Sequence, residues 1–167
     1  MAAPAAASLS VRRSPNEVKM PAMNNPPTPA YMLAPGQGIE GFDRDVKATR
    51  TSTGGALTLM ESRTEGGAPM HVHSREDECC FVVEGRIVVE CGGEKFEAGP
   101  RSFVFLPRGI PHAWDVISGV ATVLIITVPG GFEEFMRDLH AAGSRAARDA
   151  VAAKHGIEWV RSGNPAV

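Results

Sequence analysis

HVHSREDECCFVVEG, residues 71–85, sets two histidines one residue apart, adds a carboxylate five positions after the second, and runs through an apolar stretch to a glycine. Successive side chains alternate faces along a strand, so His71 and His73 point to one side, one pleat apart. Glu78 opens the next strand-like run and reaches the same point if those two strands are neighbours. The same parity puts Cys80 and Val82 on the face of Glu78 and turns Cys79, Phe81 and Val83 the other way. A fourth candidate, His112, opens a further run in FVFLPRGIPHAWDV, residues 103–116, just after a Pro-Arg-Gly-Ile-Pro turn. Trp114 shares its face, where it either walls a cavity for an aromatic ligand or fills the core. Three neutral imidazoles and a carboxylate suit a first-row transition metal and leave positions for water, oxygen or substrate. Such ligands bind deprotonated, so metal binding is expected to weaken in acid.

Outward from this stretch, VKATRTS, ALTLMES, RIVVEC, EKFEA, SFVFLP and ATVLIITV are each about strand length and are joined by short connections. Many short, closely spaced strands predict an all-β sandwich or barrel. Gly92-Gly93, between RIVVEC and EKFEA, predicts a tight antiparallel hairpin. Residues 1–29, rich in Ala, Pro and Asn, read as a flexible tail, residues 30–130 as the β domain and residues 131–167 as a helical extension packed on it. In that extension Phe132, Phe135, Met136 and Leu139 fall at i, i+3, i+4 and i+7. Glu133 and Glu134 occupy the first turn. Ser144 is placed to cap a second helix and Gly156 to end it.

The 167 residues suffice for one core, and a formal net charge of −2 without a basic run speaks against nucleic acid or an anionic membrane surface as partner. No apolar stretch approaches the roughly 20 residues of a membrane span, and the N-terminal residues make a poor secretory signal, so a cytoplasmic location is expected. Three cysteines cannot all pair within the chain and are read as reduced thiols. The sequence has neither a glycine-rich phosphate loop between strand and helix nor a G-x-S-x-G nucleophile elbow. His140 and His155 sit at predicted helix ends, and Arg108 and Asp115 flank the His112 segment either as anchors for a polar substrate or as solvated surface.

His71, His73, Glu78 and Gly85, followed by Pro107, Gly109 and His112, resemble the two motifs of a small single-domain cupin, similar to the quercetin 2,3-dioxygenase-like cupins. The leading glycine of the first motif is displaced, with Glu65 in its place and Gly66 and Gly67 after it; in the second, Arg101 stands at the glycine and Val116 at the asparagine. The resemblance implies a jelly-roll barrel with C-terminal helices. It also implies one divalent metal (iron, manganese, nickel, copper or zinc) on His71, His73, Glu78 and His112, with Glu78 as catalytic base. Cys80, Val82 and Trp114 are then candidate pocket residues. The implied activity is a metal-dependent dioxygenase acting on a small aromatic or enolisable substrate. Alternatives are a Lewis-acid isomerase, cyclase or decarboxylase, and a small-molecule-binding module without catalysis. A homodimer is the implied assembly.

Overall fold

A computed structural model describes residues 29–43 and 45–160. The expected N-terminal tail, apart from residue 29, lies outside the described residues. Nine strands precede the helices: β1 (Val46–Ala48), β2 (Thr58–Thr64), β3 (Ala68–His73), β4 (Asp77–Glu84), β5 (Ile87–Cys91), β6 (Glu94–Ala98), β7 (Phe103–Leu106), β8 (His112–Val116) and β9 (Ala121–Val128). Then follow α1 (Phe132–Ala141), α2 (Arg145–His155) and a short β10 (Ile157–Trp159). The strands form two five-stranded sheets, ordered β1-β2-β9-β4-β7 and β10-β3-β8-β5-β6, with antiparallel neighbours throughout. This is the all-β jelly roll with C-terminal helices.

Alternation decides what lies between the sheets. Glu78, Cys80 and Val82 of β4 are buried, while Cys79 and Phe81 are half-buried on the outer face. Cys80, Val82, Val104, Leu106 and Val123 from the first sheet meet Ile87, Val89, Ala98 and Trp114 from the second in one apolar cluster. Each fully buried Val, Leu or Ile there contributes roughly 1.5–3 kcal/mol, which binds the two sheets face to face.

The Gly92-Gly93 hairpin forms as expected, with Cys91 paired to Glu94 and both glycines at positive φ, 59° and 86°. Two of the three departures from the cupin motifs have physical counterparts. A Cβ on Gly67 would lie 1.8 Å from the Trp114 carbonyl oxygen, so the close approach of this segment to β8 requires glycine at 67 and not at 65. Arg101, in the motif's glycine position, holds φ 69°, a left-handed conformation that L side chains disfavour.

Both helices form, and Ser144 Oγ accepts from Ala147 N at 3.2 Å as the cap of α2. Glu133 is more than a first-turn acid. It is buried, its Oε1 accepts from Arg50 N at 2.8 Å, and its Oε2 accepts from the Thr58 hydroxyl and from Gly131 N. The extension is also not helical to its end. After Gly156, in the left-handed conformation at the C-terminus of α2, the chain adds β10 beside β3, pairing Ile157 with His73 and Trp159 with His71. Among the described residues no helix is long and apolar enough to cross a membrane.

Candidate metal centre

β3 and β8 are neighbours in the second sheet, where His71 is paired with His112. A one-residue bulge between Ala68 and His71 shifts the register there. It turns the Pro69 carbonyl toward the His71 ring, whose Nδ1 donates to it at 2.7 Å. His112 Nδ1 likewise donates to the Ile110 carbonyl at 2.8 Å. A carbonyl only accepts, so both rings carry their proton on Nδ1 and present an Nε2 lone pair. His73 Nδ1 faces the buried Glu76 carboxylate at 3.4 Å, which leaves its Nε2 pointing to the same place.

The three Nε2 atoms meet Glu78 from the opposite sheet. Glu78 Oε2 lies 3.3 Å from His73 Nε2, 3.6 Å from His112 Nε2 and 3.8 Å from His71 Nε2. One ligand atom from each of the four residues falls within 4.8 Å of the others, and all four residues are buried. His71 Nε2 and His73 Nε2 approach to 3.0 Å. Two ring nitrogens that have spent their Nδ1 protons elsewhere repel at that distance unless a cation stands between them. His112 Nε2 has no hydrogen-bond partner among the described residues. The donor set therefore fits a divalent metal ion.

The charges fit as well. Burial opposes ionisation of Glu78, but the three imidazoles that face it outweigh this and hold the carboxyl well below its usual range. Burial also opposes a charge on His73, yet the Glu76 and Glu78 carboxylates push its pKa up to about 9. The cluster thus demands a positive charge, which a proton on His73 supplies alone and a metal ion would replace. The other carboxylate oxygen, Glu78 Oε1, accepts from the Cys80 thiol at 3.7 Å. Burial pushes that thiol well above its ordinary pKa, so it stays protonated and able to donate.

The turn before β8 is pinned to the same ligands. Gly109 N donates to the His73 carbonyl at 2.7 Å, and the Arg108 guanidinium forks onto Asp77 at 3.1 and 2.8 Å. Hydrogen bonds from Arg108 hold the Asp77 carboxyl at about 2. Arg108 therefore braces β4 beside Glu78, and Asp115 is engaged by its neighbour's backbone, Val116 N. His140 lies near Asp43 and His155 near Asp138, away from the cluster. Cys80 adjoins Glu78, and Val82 and Trp114 lie further along the same inner faces.

Sequence reasoning missed four residues around the cluster. Glu76 sits in a loop, where no periodicity marks a direction. The Phe132 ring of α1 stands 5.4 Å from the His73 ring, and the Trp159 ring of β10 stands 6.0 Å from that of His71. Thr127 of β9 pairs directly with Glu78. A cavity of about 410 Å³ lies along Val88, Glu90, Lys95 and Asp115, on the outer face of the second sheet, and so away from the inward-facing histidines. A larger one, about 660 Å³, lies between β2 and α1 and is lined by Phe42, Met60 and Met136, with Arg137 and His140 as its basic groups. Met60 belongs to the apolar cluster that also holds Cys80 and Trp114.

Residues 58–129 match the family model described as Cupin domain. The quercetin 2,3-dioxygenase of Bacillus subtilis is 25% identical over 115 residues, which cover 65% of this chain and 34% of that enzyme. The chain thus spans about a third of the length of this curated relative. Among solved structures, KdgF from Halomonas sp. aligns with a TM-score of 0.47 and 23% identity over 52% of this chain and 76% of its own. The DMSP lyase DddQ from Ruegeria pomeroyi aligns with a TM-score of 0.40 and 23% identity over 44% of this chain and 39% of its own.

Proposed function

The chain carries a cupin domain at residues 58–129, and from that premise we propose a metal-dependent dioxygenase acting on a small aromatic or enolisable molecule. The observation that carries the reading is the convergence of three Nε2 atoms and one carboxylate oxygen inside a buried barrel. The dioxygenase activity named for the Bacillus subtilis relative supports the oxidative form of it. His71, His73 and His112 would hold one divalent metal, and Glu78 would complete the set. When bound, the metal supplies Lewis acidity toward a substrate oxygen and, if redox-active, electrons for dioxygen chemistry.

The remaining steps belong to the protein. Glu78 Oε2 stands among the histidine nitrogens and takes the proton of a substrate hydroxyl delivered there. The Cys80 thiol fixes the other oxygen, so that Oε2 keeps facing the cluster. The apolar walls exclude bulk water from the deprotonated substrate. The same ligand set also suits zinc, and with zinc the site would act as a Lewis acid without oxygen, as an isomerase, cyclase or decarboxylase. A module that binds its ligand without turnover is the third reading. Three unpaired thiols support a reducing compartment as the site of action, which we read as the cytoplasm, with a homodimer as the proposed working form.

Element-resolved analysis of protein purified without chelators, followed by oxygen-uptake assays on flavonols, tests the reading. Near-stoichiometric iron, manganese, nickel or copper with oxygen consumption is the expected result. Zinc with anaerobic turnover would replace it with the Lewis-acid reading, and ligand binding without turnover with the third. The double substitution His71→Ala/His73→Ala is expected to abolish metal retention; unchanged metal content would refute the ligand assignment.

A further inference from the structure

The apolar stripe of α1 divides its work. Phe135, 3% exposed, is buried with Ala152 of α2 and Ile157 of β10, while Phe132 and Met136 also pack against the core between the two sheets. These two stand four positions apart, one turn of helix, and both are half-buried. The Phe132 ring comes to 5.4 Å from the His73 ring. Met136 instead lines the cavity of about 660 Å³ under α1.

That cavity enters the barrel from the side. Its walls include Val46 and Met60, buried on the inner face of the first sheet, and Met60 lies one pleat from Thr58. Thr58 pairs with Thr127, and Thr127 with Glu78. Met60 is therefore two strands and one pleat from the carboxylate, about 12 Å along the backbone lattice. Outward, the cavity opens between Asp43 and the exposed Arg137 and His140. The cavity along Val88 and Glu90, by contrast, lies on the outer face of the second sheet. α1 itself is fixed: Glu133 ties its first turn to Arg50 N, Thr58 and Gly131 N, and Phe135 holds it to α2 and β10. Rotating a half-buried methionine or ring costs far less than lifting an anchored helix.

We propose that the cavity under α1 is the way in to the cluster and that Met136 and Phe132 are its gate, Met136 on the cavity wall and Phe132 between it and His73. The gate sets how fast a molecule reaches or leaves the cluster, not how tightly it is held there. The inference rests on reading His71, His73, Glu78 and His112 as a metal centre, and it assigns the entrance to that centre. A barrier met on the way in is met again on the way out, so altering the gate changes both rates by one factor.

The full chain loaded with cobalt(II) has an absorption spectrum that responds to added imidazole, which stopped-flow mixing follows in time. Met136→Trp, which fills the cavity, is expected to slow imidazole entry and exit about tenfold each, and Met136→Ala to speed both, with the dissociation constant and cobalt content equal to those of the wild type. Val88→Trp, in the outer cavity, should change neither rate. Arg137→Glu, at the exposed mouth, should slow azide entry about threefold at low salt, lose that effect at high salt and leave imidazole entry alone. If Met136→Trp does not fold, Met136→Ala and Arg137→Glu decide. Rates equal to the wild type in the Met136 and Arg137 variants overturn the gate and spare the metal centre. A changed dissociation constant with an unchanged entry rate makes Met136 a wall of the binding site and also overturns the gate. A chain that takes up no cobalt overturns the metal reading and this inference together.

Discussion

Glu76 grips His73 by the ring nitrogen that faces away from the cluster, while His71 and His112 give theirs to backbone carbonyls. A carboxylate on the outer nitrogen makes an imidazole a stronger metal donor and fixes its ring plane. Glu76→Gln keeps the shape and removes the charge, and it is expected to lower metal affinity about 10- to 100-fold. Competition against a chromophoric chelator measures this; an affinity equal to the wild type would reduce Glu76 to loop packing. The four clustered side chains were legible because strand parity turns sequence spacing into direction. Glu76 was not, because it lies in the short link between β3 and β4. Nor was the bulge at Pro69-Met70, through which Ala68 and His71 both face the barrel interior although an odd number of positions separates them. Parity read across that bulge would have sent one of them outward.

Between β6 and β7 the turn puts Arg101 at φ 69°, and Arg101 N ties it to β4 by donating to the Val82 carbonyl at 2.8 Å. A left-handed non-glycine residue costs about 1–2 kcal/mol, and the extra freedom glycine gives the unfolded chain offsets roughly 0.4–1 kcal/mol of any relief. Arg101→Gly is therefore expected to stabilise the protein by about 0.5–1 kcal/mol in urea unfolding. A loss of stability would show that the arginine side chain matters more than its backbone. Among the helices, Asp138 of α1 accepts from Lys154 and His155 in the last turn of α2, at 2.7 and 2.9 Å. Those hydrogen bonds hold its carboxyl at about 2 instead of the ordinary 3.8. A depressed carboxyl stabilises the fold above its ordinary pKa and loses that contribution as the pH falls through the folded value. Wild type and Asp138→Asn should accordingly differ in thermal stability near neutral pH and converge as the pH falls toward 2. Both helices could be read from their apolar stripe and caps. β10 could not, since its three residues are too short to show a period and become a strand only by pairing with β3.

At the scale of the molecule, the nine strands before the helices and the barrel were legible, but strand order was not. β4 lies between β7 and β9, and β3 between β8 and β10, so the sheets are assembled from distant partners that short-range patterns do not name. The order has a consequence for assembly. It places Phe103 beside Phe81 and Leu124, and Phe105 beside Cys79, Ile126 and Leu59, in two apolar rows on the outer face of the first sheet. Phe103 and Phe105 are 62% and 55% exposed, on a strand whose other edge carries no neighbour among the described residues. These seven side chains are uncharged, although the first row continues past Leu124 to Glu61 of β2, so a second copy that covers the seven leaves that ion at the rim, and a two-fold axis would lay each row against its own mate. Paired Phe103→Glu and Phe105→Glu substitutions enter such an interface twice, once from each protomer, and set like charges together. The wild type is expected to sediment as a dimer and the double variant as a monomer with full metal content, because the substituted side chains point away from the barrel interior. A wild-type chain that remains monomeric at micromolar concentration would reject this assembly and leave the metal centre self-contained in one chain.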